Sequence, residues 1–282
     1  MKNEANLIQI LAPEDDRLTE YRCLRENRLA RPMVGAPHGV FIAEGEKVVR
    51  LLILQSAYRV RSLLISASRS ELAAEYASLV GPDVPVYIAE RPVMDAVVGF
   101  PIHRGVLASG VRVNPPRLES VLNEARACLV LESLANHDNV GGIMRVAAAL
   151  GGCDIQGRPA CPVIMDHETC DPLYRKAIRV SMGHALRVPF ATVESLPTAI
   201  DELDQHGFTT LALTTGADAV SIDDLEPVDR PAFVLGTEGD GLSEAALSQV
   251  KVRVRIPMSP GVDSLNVVTA AAIALSRLVR PV

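Results

Sequence analysis

Three short stretches carry side chains that a plain core or a plain surface has little use for. In the first, Asn136-His137-Asp138-Asn139 leads into Val140-Gly141-Gly142, and Arg145 follows within the first two turns of a helix. Asp138 or Asn139 is the expected N-cap, but three Asn or Asp residues and two early glycines exceed what a cap needs. Paired glycines let a ligand or another backbone come close. Arg145 lies near the positive end of that helix, and a solvated surface arginine is the plain alternative. The second stretch is Gly236-Thr237-Glu238-Gly239-Asp240-Gly241. Its glycine order, G-x-x-G-x-G, differs from the dinucleotide fingerprint G-x-G-x-x-G, and no ribose-binding acid follows. Glu238 inside the loop would repel a pyrophosphate, so the loop suits a ligand with hydroxyls or positive charge. In the third, Ile256-Pro257-Met258 runs into a Ser-Pro-Gly turn, and Ser264-Leu265-Asn266 opens a helix made largely of alanine. Ser264 is the expected cap there, and Asn266 and Thr269 are polar where a buried helix has no need of them.

Each stretch follows a strand. "ACLVLESL" and "PAFVLGT" read as buried strands of a parallel sheet, and "VRVRIPM" alternates with period two. "TTLALTT" adds a further strand, with helical segments between. In open α/β sheets the carboxyl edge of the strands is where ligands bind. Upstream, "GVFIAEGEKVVRLLILQ", "VRSLLISAS", "SRSELAAEYASLV" and "PVYIAE" alternate strand and helix, preceded by a charged helix in "RLTEYRCLREN". The expected organisation is a small α/β domain over residues 1–108, a linker over 109–120 where prolines replace periodicity, and a second α/β domain over 121–282.

Composition narrows the chemistry. The chain has 282 residues, enough for two cores, with 48% hydrophobic and 22% charged residues. Aromatic residues are 4% and tryptophan is absent, so base stacking on aromatic platforms is not the expected mode of holding nucleotides. A net charge of −6 argues against nonspecific coating of nucleic acid while leaving room for local basic patches. Lys2, Lys47, Lys176 and Lys251 are the only lysines among 28 basic residues. The arginine excess suits phosphate recognition, and a GC-rich genome would give the same bias. The five cysteines are irregularly spaced, and the acidic N-terminal stretch carries no long apolar run. A reduced, cytoplasmic protein without a membrane span is expected. Cys161, His167 and Cys170 lack a paired C-x-x-C knuckle, so no metal is expected.

Taken together, the three stretches resemble the three motifs of the SpoU (TrmH) family of RNA ribose 2′-O-methyltransferases, within the SPOUT superfamily. Motif one corresponds to Asn139-x-Gly141-x-x-x-Arg145. Motif two corresponds to Leu235-Gly236-x-Glu238-Gly239-x-Gly241-Leu242. Motif three corresponds to Ile256-Pro257-Met258 with Ser264-Leu265-Asn266. "FIAEGEKVV" and "HRGVLA" resemble, more loosely, the substrate-binding domain of many members, with Arg104 where glutamine is more usual. The stretch Gln156 to Pro162 lengthens the link after motif one.

The resemblance implies an α/β chain with a C-terminal trefoil-knotted SPOUT methyltransferase domain around a parallel sheet, preceded by a small α/β substrate-binding domain. It also implies a homodimer, S-adenosylmethionine as methyl donor and structured RNA, rRNA or tRNA, as acceptor. By motif, Gly236, Ile256 and Leu265 are expected to contact the donor, with Leu213, Thr214, Thr237 and Met258 as neighbours. Arg145 is expected at the reacting hydroxyl, as base or as phosphate and alkoxide stabiliser, and Asn139, Glu238, Ser264 and Asn266 are expected to hold it and the ribose. Arg22, Arg25, Arg28, Arg175, Lys176 and Arg179 are candidate RNA contacts, with a solvated helix face as the alternative. A catalytically inactive RNA-binding protein on the same fold is the competing reading of function.

Overall fold

The computed structural model describes residues 6–22, 29–102, 104–237 and 239–279. The chain divides into two compact units. Unit 1 comprises residues 1–114 together with Leu173–Leu186, and unit 2 comprises Pro115–Pro172 together with Arg187–Val282.

Unit 1 is built on five strands: β1 (Leu7–Ile10), β2 (Val40–Glu44), β3 (Val60–Ser66), β4 (Val86–Ala89) and β5 (Val106–Val111). They form one sheet in the order β1-β4-β3-β5-β2, parallel from β1 to β3 and antiparallel on both sides of β5. Helices α1 (Glu46–Gln55), α2 (Ser70–Val80) and α3 (Arg91–Val98) connect the strands. A 3-10 helix spans Asp16–Tyr21 where a longer charged helix was expected, and Arg25 and Arg28 lie outside the described residues. β2 and β5 are buried along their whole length, which their β-branched and small residues permit.

The expected linker begins inside β5. Ser109 is fully buried and pairs with Ile42 on one side and Ser62 on the other. Prolines 115 and 116 mark the real exit, and α4 (Leu118–Leu122) already belongs to unit 2. The sequence pattern failed here because "VLASGV" is small and mixed in polarity, and only its two flanking strands identify it as central.

Unit 2 holds an all-parallel sheet of seven strands in the order β10-β12-β9-β11-β6-β7-β8. They are β6 (Cys128–Leu131), β7 (Val163–Asp166), β8 (Phe190–Val193), β9 (Thr209–Leu213), β10 (Val220–Ser221), β11 (Pro231–Leu235) and β12 (Val252–Arg255). The helices of this unit after α4 are α5 (His137–Leu150), α7 (Leu196–Gln205), α8 (Glu244–Leu247) and α9 (Val267–Leu278), while α6 (Arg175–Val180) lies in the stretch that belongs to unit 1. β6 and β11 are buried throughout, as central parallel strands must be. From β6 the sheet grows through β7 and β8 on one side and through β11 and β9 on the other. The chain therefore reverses direction across the sheet at β6 and β11, and loops diverge there at the carboxyl edge. No helix among the described residues is long and apolar enough to cross a membrane.

Candidate functional site at the carboxyl edge of unit 2

Loops after β9, β11 and β12 enclose a cavity of ≈ 600 Å³. Leu213, Thr214, Gly236, Thr237, Ile256, Met258 and Leu265, scattered over more than fifty residues of sequence, all line it, and so does Ser264. Its size is that of a site for a small organic ligand. Asp240, Glu244 and Asp263 add carboxylates, and no lysine, arginine or histidine is among the described lining residues. Such a wall favours a ligand carrying positive charge and hydroxyls over one carrying phosphates. Asp240, Asp263 and Thr215 were not singled out from sequence; the first two sit inside motif stretches, where glycine spacing drew attention to their neighbours.

The glycine loop owes its shape to one close approach. A Cβ placed on Gly236 would stand 2.2 Å from the carbonyl oxygen of Gly241 and 2.6 Å from the nitrogen of Leu242. That closure lets the Thr237 amide donate to Gly241 O at 3.1 Å. Glu132, at the exit of β6, then anchors the far end of the loop. It accepts from the Ser243 amide at 2.8 Å and from Ser243 Oγ at 2.6 Å, while Ser243 Oγ accepts from Ala246 N and caps α8. Glu132 was legible only as a polar ending to "LVLES". Glu238 lies outside the described residues.

The caps differ from expectation. α5 starts at His137, and its cap is Asn136, whose Oδ1 accepts from Asp138 N at 2.9 Å. α9 starts at Val267, and its cap is Asn266, whose Oδ1 accepts from Val268 N at 2.9 Å. Ser264 is instead an exposed loop residue on the cavity wall. Asn266 serves both ends of its amide: while Oδ1 caps α9, Nδ2 donates to Asn139 Oδ1 at 3.0 Å across the two helix starts. Asn139 is 6% exposed, so this bond satisfies a group that burial would otherwise penalise. The helices pack tightly beside it, with Val268 filling the space next to Gly142. Arg145 projects from α5 as an exposed side chain and is not part of the cavity lining.

The loop preceding α5 is held from the neighbouring strand. Asp166 at the end of β7 accepts from Ser133 N and Oγ through Oδ2 and from Thr169 N and Oγ1 through Oδ1, at 2.7 to 3.0 Å. Ser133 takes a left-handed φ of 55 there. Burial pushes the Cys161 thiol up to about 12 and the Cys128 thiol well above its ordinary range, so neither is a nucleophile near neutral pH. Among the described residues no group of three His, Cys, Asp or Glu could hold a metal ion. Of the arginine candidates, Arg22 spends its guanidinium on the carbonyls of Pro13 and Asp15 at 2.6 to 3.0 Å. Arg175 and Arg179 lie on α6 in unit 1.

The chain is similar to known proteins. The profile of the SpoU rRNA Methylase family matches residues 126–276. An uncharacterised tRNA/rRNA methyltransferase of Mycobacterium tuberculosis is 40% identical over 265 residues, covering 93% of this chain and 88% of that protein. The 23S rRNA (guanosine-2′-O-)-methyltransferase RlmB of Acinetobacter baylyi is 31% identical over 199 residues, covering 68% of this chain and 77% of its own length. Among solved structures, an rRNA methyltransferase from Sinorhizobium meliloti superposes with a TM-score of 0.77 at 20% identity, over 96% of this chain and 97% of that one. The SpoU methyltransferase AviRb from Streptomyces viridochromogenes, in complex with AdoMet, gives 0.75 at 23% identity over 93% and 97%. At such identities the two structures speak for the shared fold.

Proposed function

Because the chain belongs to the SpoU rRNA methylase family, we propose that it methylates a ribose 2′-hydroxyl in structured RNA, using S-adenosylmethionine held in the carboxyl-edge cavity. The carrying observation is the cavity itself: three residues chosen by motif and four from neighbouring strand ends converge on it, and its acidic wall, without a cation among the described lining residues, suits a sulfonium ligand. Ribosomal RNA is the favoured acceptor, since RlmB of Acinetobacter baylyi is named for that chemistry.

Bound S-adenosylmethionine supplies an activated methyl group. Gly236, Ile256 and Leu265 would hold it, largely through backbone groups. Oxygen, methyl carbon and sulfur must lie nearly in line, so positioning supplies much of the rate. The 2′-hydroxyl would give up its proton to water as it accepts the methyl group. Arg145 is a poor base, because a guanidinium stays protonated in proteins. It would instead grip the adjacent phosphate and stabilise the forming alkoxide. The Asn139–Asn266 bond fixes the helix from which Arg145 projects. A trefoil knot through motifs two and three, and a homodimer that brings a second subunit's surface to Arg145, complete this reading. An exposed Arg145 outside the cavity lining is compatible with a site completed by a second subunit.

Transfer of a tritiated methyl group to deproteinised ribosomal RNA is the test. Wild-type protein should label RNA at ribose 2′-O, and Arg145→Ala should lose at least about a hundredfold in rate, some 2.7 kcal/mol, while binding S-adenosylhomocysteine normally. Near-normal transfer by that variant would sink the assignment. Donor binding without transfer to any RNA by the wild type would favour an inactive RNA-binding protein.

A further inference from the structure

Leu173–Leu186 belongs to unit 1, although the sequence on both sides of it belongs to unit 2. Its helix α6 packs on β2, the strand that ends at Glu44. Glu44 is 8% exposed, and a carboxylate so buried needs a partner. Arg175 provides one, with a guanidinium nitrogen 2.9 Å from Glu44 Oε2. The same guanidinium lies 4.4 Å from the centre of the Phe100 ring, so Arg175 is held from two sides. Arg179, one turn further, stands 3.9 Å from the same carboxylate oxygen, with 45% of its side chain exposed. Arg104 reaches the corner from just before β5: a Cβ on Gly45 would come within 2.9 Å of Arg104 Cδ and 3.1 Å of its Nη1. Gly45 N donates to Val106 O at 2.9 Å, which ties the two segments together.

Two guanidiniums therefore face one carboxylate, and a third, that of Arg104, packs against the next residue, Gly45. Arg175 alone suffices to hold α6 against β2 and to neutralise Glu44. Arg179 is beyond hydrogen-bond distance of that carboxylate, and among the described residues no ion pair involves Arg104. Bringing two further cations to a corner already neutral costs energy unless an anion joins them. Both side chains are exposed enough to meet one. Guanidinium forks match phosphate oxygens two at a time, where a lysine would act as a point charge.

We propose that Arg104 and Arg179 bind backbone phosphates of the RNA, with Glu44 and Arg175 as the positioning pair that fixes their corner. This rests on the RNA-methylating reading above and assigns unit 1 a defined part in it. Arg175 is a support here and not a contact, and Arg104, absent from the arginines chosen by sequence, becomes one.

Filter binding of fragmented, deproteinised ribosomal RNA across a potassium chloride series tests this. Each lost phosphate contact lowers the slope of log affinity against log salt by about 0.7 to 0.9. The double variant Arg104→Ala/Arg179→Ala should lose about 1.5 in slope, with unchanged thermal unfolding and unchanged affinity for S-adenosylhomocysteine. Arg179→Ala alone, the gentler change, should lose about half of that. Arg104→Lys/Arg179→Lys should keep most of the slope, because charge is retained. An unchanged slope in the alanine variants, or equal loss in the lysine variant, overturns the proposal. Methyl transfer by the wild type alongside an unchanged alanine slope would overturn this site alone. A wild type that binds no RNA at any salt would overturn the functional reading as well.

Discussion

In unit 2 the cavity takes its walls from loops that each leave a strand directly, whereas in unit 1 the arginine corner needs Glu44, Arg104 and Arg175, which lie 60 or more residues apart. The first arrangement is local in sequence: strand, glycine or proline turn, helix. A parallel sheet then brings those turns to one edge, because every strand points the same way. The second arrangement depends on a helix from the unit 2 part of the sequence packing on an edge strand of unit 1. Motifs in consecutive residues therefore mark the cavity proposed for the donor, while the corner proposed for RNA is assembled from distant single residues.

The sharpest way to separate the two regions is Gly236→Ala. The added methyl would meet the backbone of Gly241 at 2.2 Å, and backbone cannot swing aside. The loop must open, and affinity for S-adenosylhomocysteine, read by calorimetry, should fall about a hundredfold, some 2.7 kcal/mol. The salt slope of RNA binding should stay as in the wild type, and a matching loss there would break the distinction between the regions.

A middling effect is expected at the support of the arginine corner. Glu44→Gln keeps the shape but removes the charge that faces Arg175 and Arg179. The partners are 21% and 45% exposed, so solvent screens much of the pair, and the loss should be about 1 to 2 kcal/mol. Differential scanning calorimetry should show the melting temperature falling by a few degrees, with donor affinity unchanged. A variant as stable as the wild type would show that the corner does not depend on this pair.

An effect confined to alkaline pH concerns a thiol buried in unit 2. Cys161 is raised from an ordinary value of 9.0 to about 12 by burial. Its contribution is complete while the thiol is protonated in both states. It is lost as the pH climbs from 9 towards 12, because unfolding then frees a thiolate that the folded state forbids. Thermal unfolding across that range should decline less steeply for Cys161→Ala, although that variant starts less stable. Below pH 9 iodoacetamide should modify the exposed Cys153 and spare Cys128 and Cys161.

Much of the fold was legible. β2, α1, β3, α2 and β4 fall where alternation and apolar periodicity put them, and so do the four strands named for unit 2. The short strands β7, β8 and β10 carry no such signal, since "VIMD", "FATV" and "VS" show no alternation of the kind that marks β12. β5 was lost for another reason. Its Ala-Ser-Gly centre has the composition of a loop, and it is a strand because β2 and β3 supply partners on both sides.

The sequence by itself determined the family resemblance, the strand ends that carry the three motifs and the seven residues that share the cavity wall. These survive because strand, turn and helix starts are decided within a few residues, and a parallel sheet does the rest. Tertiary structure alone decided that Asn266 caps α9 in place of Ser264 and that its Nδ2 meets Asn139 on another helix. It alone decided that Leu173–Leu186 belongs to unit 1, that Arg175 and Arg179 face Glu44, and that Arg104 packs against Gly45. A cap depends on backbone angles set by packing, and an ion pair across 131 residues leaves no periodicity to read. Long-range charge pairing is fixed only once the core has brought its partners within a few ångströms.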